Sequence, residues 1–172
     1  HSRGKQKMRH GGIFYTPQSG IWQPVWLERV PKTHVRSLHI TPLYDEAMLE
    51  LRVRTSKPCA CIAHIGERSF AFSSGAACRI PMPGFHPWSP EDPFLYDFSV
   101  EAGEDRVESY FAMRKIGVAP DEKGTPRLTL NGKPYFQSGV LDQGYWSDGM
   151  LTAPSDEAMI SDIETMKRMG FN

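Results

Sequence analysis

Residues 128–172 read LTLNGKPYFQSGVLDQGYWSDGMLTAPSDEAMISDIETMKRMGFN, and their pattern decides how the remainder of the chain is understood. Leu128 and Leu130 alternate with polar neighbours ahead of Asn131-Gly132, a dipeptide suited to a type I′ hairpin turn. Tyr135 and Phe136 continue the return strand, and Pro134 confines its start to an edge or a first position. Ser138-Gly139-Val140-Leu141 predicts the next strand, which empties into a loop of polar and aromatic groups, Asp142-Gln143-Gly144-Tyr145-Trp146-Ser147-Asp148-Gly149. Ser155 then supplies an N-cap, with Asp156 and Glu157 in the first turn where the helix dipole favours carboxylates. Met159, Ile160, Ile163, Met166 and Met169 form an apolar stripe at helical spacing. Lys167 and Arg168 fall in the last turn, and Gly170 is the expected left-handed stop. Phe171-Asn172 reads as the onset of a further strand. Strand, loop, helix and strand onset make one βα unit, and such a unit needs parallel neighbours to cover its strand. This stretch is too short to supply them, so the sequence predicts the opening of a larger assembly, cut short at Asn172.

Working outward, 172 residues leave room for one substantial domain plus pieces. The apolar share of 40% and charged share of 23% belong to a globular protein. Lys and Arg number 20 against 20 Asp and Glu, so no basic footprint for nucleic acid or an anionic membrane is expected. No apolar run approaches the ~18 residues of a membrane span. His34, His39, His64 and His86 lack ligand spacing, so neither metal nor cofactor is expected. Cys59, Cys61 and Cys78 form an odd set, which excludes a disulfide framework and predicts buried thiols in a reducing compartment. The start of the chain lacks the apolar core of a secretory signal, and a cytoplasmic location is expected.

Residues 1–12 are basic and glycine-containing, with no structure assigned. Ile13-Phe14-Tyr15 is a short apolar run before the turn residues Pro17-Gln18-Ser19-Gly20, and residues 21–30 read as a strand with Trp22 and Trp26 on one face. From His34 to about Val118, short strands separated by turn signals succeed one another. Leu49, Leu51 and Val53 alternate with Glu50, Arg52 and Arg54, and Cys59, Cys61, Ala63 and Ile65 repeat the pattern. Roughly seven such strands, 8 to 12 residues apart and without helical period, predict an immunoglobulin-like sandwich lacking the Cys–Trp–Cys hallmark. Val107 to Ile116 is its last strand, and Ala119 to Pro126 reads as a linker.

Four stretches resemble glycoside hydrolase family 2, in that family's order. Tyr15-Thr16-Pro17-Gln18-Ser19-Gly20-Ile21-Trp22-Gln23-Pro24-Val25-Trp26-Leu27-Glu28 resembles the end of its sugar-binding jelly roll. Trp88-Ser89-Pro90-Glu91-Asp92-Pro93-Phe94-Leu95-Tyr96 and Phe111-Ala112-Met113-Arg114-Lys115-Ile116-Gly117 are similar to stretches of its immunoglobulin-like domain. Leu130-Asn131-Gly132-Lys133-Pro134, followed by Gly139-Val140, resembles the opening of its TIM barrel. The resemblance implies a mainly β chain. The end of a jelly roll occupies 1–31, an immunoglobulin-like β-sandwich 32–119, and a hairpin plus the first βα unit of an incomplete TIM barrel 120–172. It implies a parent enzyme that hydrolyses β-glycosides with retention, using two carboxyl groups about 5 to 5.5 Å apart. In the family both are glutamates on later barrel strands, so no catalytic residue is expected here and the chain alone is expected to be inactive.

Barrel loops at the C-terminal ends of strands face the substrate. The resemblance therefore makes Asp142, Gln143, Tyr145 and Trp146 candidate sugar contacts in the parent: a carboxylate and an amide for hydroxyls, aromatic rings for a C–H face. Many relatives carry G-x-N-x-H where this chain has Gly139-Val140-Leu141-Asp142-Gln143. The structural alternative has Asp142 capping a turn while Tyr145 and Trp146 pack beneath the loop. For Trp88, with Pro87, Pro90 and Pro93, a rigid loop over one end of the sandwich competes with a sugar platform. Carbohydrate is the partner implied for the parent, and self-association through an exposed helix stripe is expected of this chain. The rival function is a standalone sandwich that binds carbohydrate or protein.

Overall fold

The computed structural model describes residues 4–9 and 11–172. The reading of residues 1–12 therefore falls in part on His1, Ser2, Arg3 and His10, outside the described residues. The chain forms two compact units, Glu28–Phe136 and a second made of His1–Leu27 with Gln137–Asn172.

Among the described residues the larger unit holds ten strands in three sheets, and seven of these strands make the two sheets of a sandwich. β1 (Val35–Leu43), β2 (Met48–Thr55) and β5 (Ala77–Pro81) form a three-stranded sheet in the order β1-β2-β5. β3 (Ala60–Ile65), β4 (Arg68–Ser73), β6 (Tyr96–Ala102) and β7 (Asp105–Phe111) form a four-stranded sheet in the order β4-β3-β6-β7. This is the expected immunoglobulin-like sandwich, with its fourth strand on the edge of the larger sheet and not beside its fifth. The alternation seen in the sequence becomes the core. Leu49, Leu51 and Val53 from β2, Ile80 from β5, Cys61, Ala63 and Ile65 from β3, and Phe98, Val100 and Ala102 from β6 are all buried. Register places Leu51 opposite Ile40 and Cys78, and Ala63 opposite Val100. Each strand thus turns its apolar face inward, as a period of two requires.

Tyr44–Glu46 is a single 3-10 turn where a simple turn was expected, ending at Ala47 with φ 49°. The main-chain N–H of Val35 donates to Asp105 Oδ2 at 2.8 Å, fastening the start of β1 to the β6–β7 turn.

The stretch read as one strand from Val107 to Ile116 is two. β7 stops at Phe111, the buried Met113 tucks in beneath, and a new strand, β8 (Ile116–Pro120), begins. β8 pairs with β9 (Pro126–Leu130), which pairs with the two-residue β10 (Lys133–Pro134). The expected linker of residues 119–126 is therefore the turn of a hairpin. Asp121 Oδ1 accepts from the main-chain N–H groups of Lys123 and Thr125, both at 2.9 Å, and Gly124 takes φ 78°. That local chemistry closes the chain on itself. The next turn matches expectation: Asn131 and Gly132 have φ 53° and 79°, the two positive values of type I′.

The strands expected at residues 21–30 and 138–141 do not form. A strand is stable only with a neighbour to take its ladder bonds, and among the described residues neither stretch is paired into a ladder. Val25, Trp26, Leu27 and Leu141 are exposed accordingly. Ile13-Phe14-Tyr15 makes only isolated bridges, Gly11 to Phe14 and Gln6 to Tyr15. The strand onset at Phe171-Asn172 amounts to one main-chain bond, Asn172 N–H to the Ser138 carbonyl at 2.9 Å, with Asn172 Oδ1 accepting from Ser138 N–H at 2.8 Å.

The helix α1 (Asp156–Arg168) forms as its caps dictate. Ser155 Oγ accepts from Ala158 N–H at 3.2 Å. At the other end Gly170 has φ 93°, its N–H reaches the Lys167 carbonyl, and Phe171 N–H reaches that of Met166. This pair of bonds is a Schellman motif. Met159, Ile160, Ile163 and Met169 remain exposed along the helix.

Candidate functional site

The four candidate residues lie in the loop between residue 141 and α1, and their surroundings come from the other end of the sequence. Asp142 Oδ1 accepts from Gly144 N–H at 2.7 Å, an Asx turn that folds the loop back at its first glycine. Gly144 there takes φ 60°, open to a glycine without strain. Trp146 is half-buried, and its main chain exchanges two hydrogen bonds with Met150 at 2.7 and 3.1 Å, closing the loop's second turn.

Residues 15–22 run against this loop. The Tyr15 and Tyr145 rings stack with centroids 4.5 Å apart at an interplanar angle of 26°. The Tyr15 hydroxyl donates to Gln143 Oε1 at 2.6 Å, and the Tyr145 hydroxyl donates to the Thr16 carbonyl at 2.8 Å. Gln18 Oε1 accepts from Leu151 N–H at 3.0 Å, and Thr152 Oγ1 donates to the Trp22 carbonyl at 3.1 Å. The loop is therefore pinned at several points by a segment more than a hundred residues upstream. Sequence reasoning missed Tyr15, Gln18 and Thr152, because a contact across that separation leaves no trace in local pattern. Only the aromatic and amide character of Tyr15 and Gln18 marks them at all.

The four candidates are thus gathered in one loop with different freedoms. Asp142 spends one oxygen on its own turn, and Tyr145 spends one ring face and its hydroxyl on residues 15 and 16. Gln143 is exposed and spends its carbonyl oxygen on Tyr15.

Trp88 takes the structural role. It is half-buried, its N–H donates to the Met113 carbonyl at 3.0 Å, and the Arg114 guanidinium covers its ring at 4.5 Å. A concavity of about 500 Å³ on the outer face of the four-stranded sheet is lined by His64, Asp97, Arg106 and Tyr110. Two of these side chains are engaged by residues beside it: Arg106 by Glu101 at 3.2 Å, and His64 Nδ1 by the Ser69 hydroxyl at 2.9 Å. Among the described residues no group of three His, Cys, Asp or Glu side chains converges as metal ligands would. No described helix is long and apolar enough to cross a membrane.

No established family profile matches the chain. Over 90% of its length it is 27% identical to the β-galactosidases of Halalkalibacterium halodurans and Leuconostoc mesenteroides. It spans only 17% of the length of each of these relatives. Among solved structures it superimposes on the β-glucuronidase of Faecalibacterium prausnitzii with a TM-score of 0.66 at 20% identity, over 83% of this chain and 24% of that one. A GH2 β-galacturonidase from Eisenbergiella tayi, bound to galacturonate, gives 0.67 at 20% identity, over 83% of this chain and 28% of the other. At such identities the structural likeness concerns the fold.

Proposed function

Taking the chain as a glycoside hydrolase family 2-like segment, we infer that it is a non-catalytic portion of a retaining β-glycosidase of β-galactosidase type. The immunoglobulin-like sandwich serves as a spacer that holds a catalytic barrel, and residues 137–172 contribute the first loop and helix of that barrel. The observation that carries this reading is the similarity to β-galactosidases along 90% of the chain, confined to 17% of theirs.

Two physical features support the division of labour. The sandwich is a closed core, with Leu49, Leu51, Val53, Ile80 and Val100 fully buried. Such a body keeps its shape without help, as a spacer must. The 142–146 loop is instead exposed or half-buried and rich in hydrogen-bonding and aromatic groups. Asp142, Gln143, Tyr145 and Trp146 are the residues through which it would meet a sugar. Retaining hydrolysis needs a nucleophilic carboxylate and an acid/base carboxyl facing each other across the glycosidic bond. The family resemblance implies that pair on later barrel strands, and no residue of this chain is assigned to it.

The test is turnover of 4-nitrophenyl β-D-galactoside and β-D-glucuronide by the 172-residue chain. No release of nitrophenol above the buffer rate is expected. Sustained turnover by homogeneous protein would refute the non-catalytic assignment.

A further inference from the structure

A primary amide carries one acceptor oxygen and two donor hydrogens. In Gln143 the oxygen is taken by the Tyr15 hydroxyl at 2.6 Å, and among the described residues Nε2 has no partner. The bond fixes which end of the amide is free: the NH2 group is the end left to a ligand. Tyr15 is itself held, by its stack on Tyr145, whose hydroxyl is tied to the Thr16 carbonyl. Residues 15 and 16 thereby grip residues 143 and 145 in register.

We propose that Tyr15 is a positioning residue that orients the Gln143 side chain so that its NH2 group donates to an oxygen of a bound sugar. The proposal rests on the reading of the 142–146 loop as sugar-facing, and it ranks the candidates within that loop. Asp142 Oδ1 is committed to Gly144 N–H, and one face of Tyr145 is covered by Tyr15. Gln143 is the exposed candidate whose donors are unspent. A free glutamine side chain has many rotamers, and ordering it when a ligand arrives weakens binding. Tyr15 restricts those rotamers beforehand, which is how a residue that never touches the sugar strengthens its binding.

The test follows the Gln143 side-chain NH2 signals of the ¹⁵N-labelled 172-residue chain by NMR, titrated separately with D-galactose and D-galacturonate. Saturable shifts at Gln143 are expected. Shifts with both sugars identify a hydroxyl acceptor, and shifts with galacturonate alone identify the carboxylate. Tyr15→Phe keeps the ring stack and removes the hydroxyl, and it is expected to weaken the apparent Kd about fivefold, the worth of one ordinary hydrogen bond. Gln143→Glu provides an independent readout: a carboxylate still accepts from Tyr15 but has no hydrogen to donate. It is expected to abolish the loop shifts while the Tyr15 and Tyr145 signals stay in place. Wild-type affinity in Tyr15→Phe, or in Gln143→Glu, overturns the positioning role and leaves the loop sugar-facing. No shift at Gln143 or its neighbours in the unsubstituted chain, with either sugar, overturns both.

Discussion

The side-chain amide of Asn131 donates to the main-chain carbonyl of Trp88 at 3.0 Å, joining two turns that lie 43 residues apart. The same side chain accepts from Lys115 N–H at 2.9 Å through Oδ1, and Asn131 N–H donates to the Lys115 carbonyl at 2.7 Å. One residue thus serves as the first position of a type I′ turn and as the tie between the β8–β9–β10 sheet and the proline-rich loop. Around it, Tyr135 donates to Glu91 at 2.6 Å and Arg114 lies over the Trp88 ring. The proline-rich loop is therefore a clasp between the sandwich and its small third sheet.

Asn131→Ala removes both side-chain bonds and places a residue with a Cβ but no compensating polar group at φ 53°. Each lost bond is worth about 0.5–1.5 kcal/mol, so a loss of about 1–3 kcal/mol in urea unfolding is expected. Hydrogen exchange should accelerate first at Lys115 and Trp88. A change below about 0.5 kcal/mol would show that the clasp is incidental.

Leu51 is fully buried between Ile40 and Cys78 on neighbouring strands, whereas Leu141 is 82% exposed. Leu51→Ala should therefore cost about 2–5 kcal/mol through lost transfer energy and the cavity left behind. Leu141→Ala should leave the unfolding midpoint of the sandwich unchanged. Equal effects from the two substitutions, read by intrinsic fluorescence during denaturation, would contradict the assignment of the core to the sandwich.

These contrasts show which features a single sequence discloses. Leu49/Leu51/Val53 and Cys61/Ala63/Ile65 state their own faces, because inward and outward alternate with a period of two whatever the partner. Asn131-Gly132 states its turn through the backbone angles it tolerates, and Ser155 and Gly170 state the ends of α1 through hydrogen bonds made within a few residues. Residues 138–141 have the composition of a strand, but a strand is a relation between two segments and composition names only one. The Ala119–Pro126 tract differs in the opposite direction: its turn chemistry is legible, and Leu128 and Leu130 mark the strand after it, but glycine and proline hide the strand Ile116–Pro120 before it. Tyr15 lay beyond reach altogether. Its role depends on Gln143 and Tyr145, and nothing local to residue 15 points to them.

Asp121 carries a second testable turn. Its carboxylate accepts from Thr125 N–H and from the Arg127 guanidinium, both at 2.9 Å, and from Lys123 N–H. Those donors favour the charged form, led by the Thr125 bond, and hold the carboxyl below its ordinary value of 3.8. A depressed pKa contributes stability that is present above the unfolded value and fades as pH falls through the folded one. Carboxyl-carbon NMR should place the Asp121 midpoint below 3.8, and amide exchange across Val118 and Leu128 should quicken once it is protonated. Asp121→Ala should produce that faster exchange already at neutral pH. A midpoint at or above the ordinary value would mean that these donors do not stabilise the charge.

Cys61 supplies the alkaline counterpart. It is 1% exposed on the inner face of β3, and none of the three cysteines is in a disulfide. Burial is the main reason its thiol is pushed from the ordinary 9.0 up to about 11, with the neighbouring Cys59 adding to the effect. Burial raises the Cys78 thiol too. The unfolded chain then releases a proton from residue 61 near pH 9 while the folded chain keeps it until about 11. Stability from this group is whole below the lower value and declines as pH climbs between the two, because unfolding is coupled to ionisation. Urea midpoints measured from pH 8 to 11 should fall across that window, and Cys61→Ala, compared with itself across the same range, should show a shallower fall. The thiolate is the reactive form, so a disulfide reagent at pH 8 should label Cys61 only at the rate of global unfolding. Rapid labelling of Cys61 in the native protein, or a stability that holds level to pH 11 in the unsubstituted chain, would place this thiol outside the core.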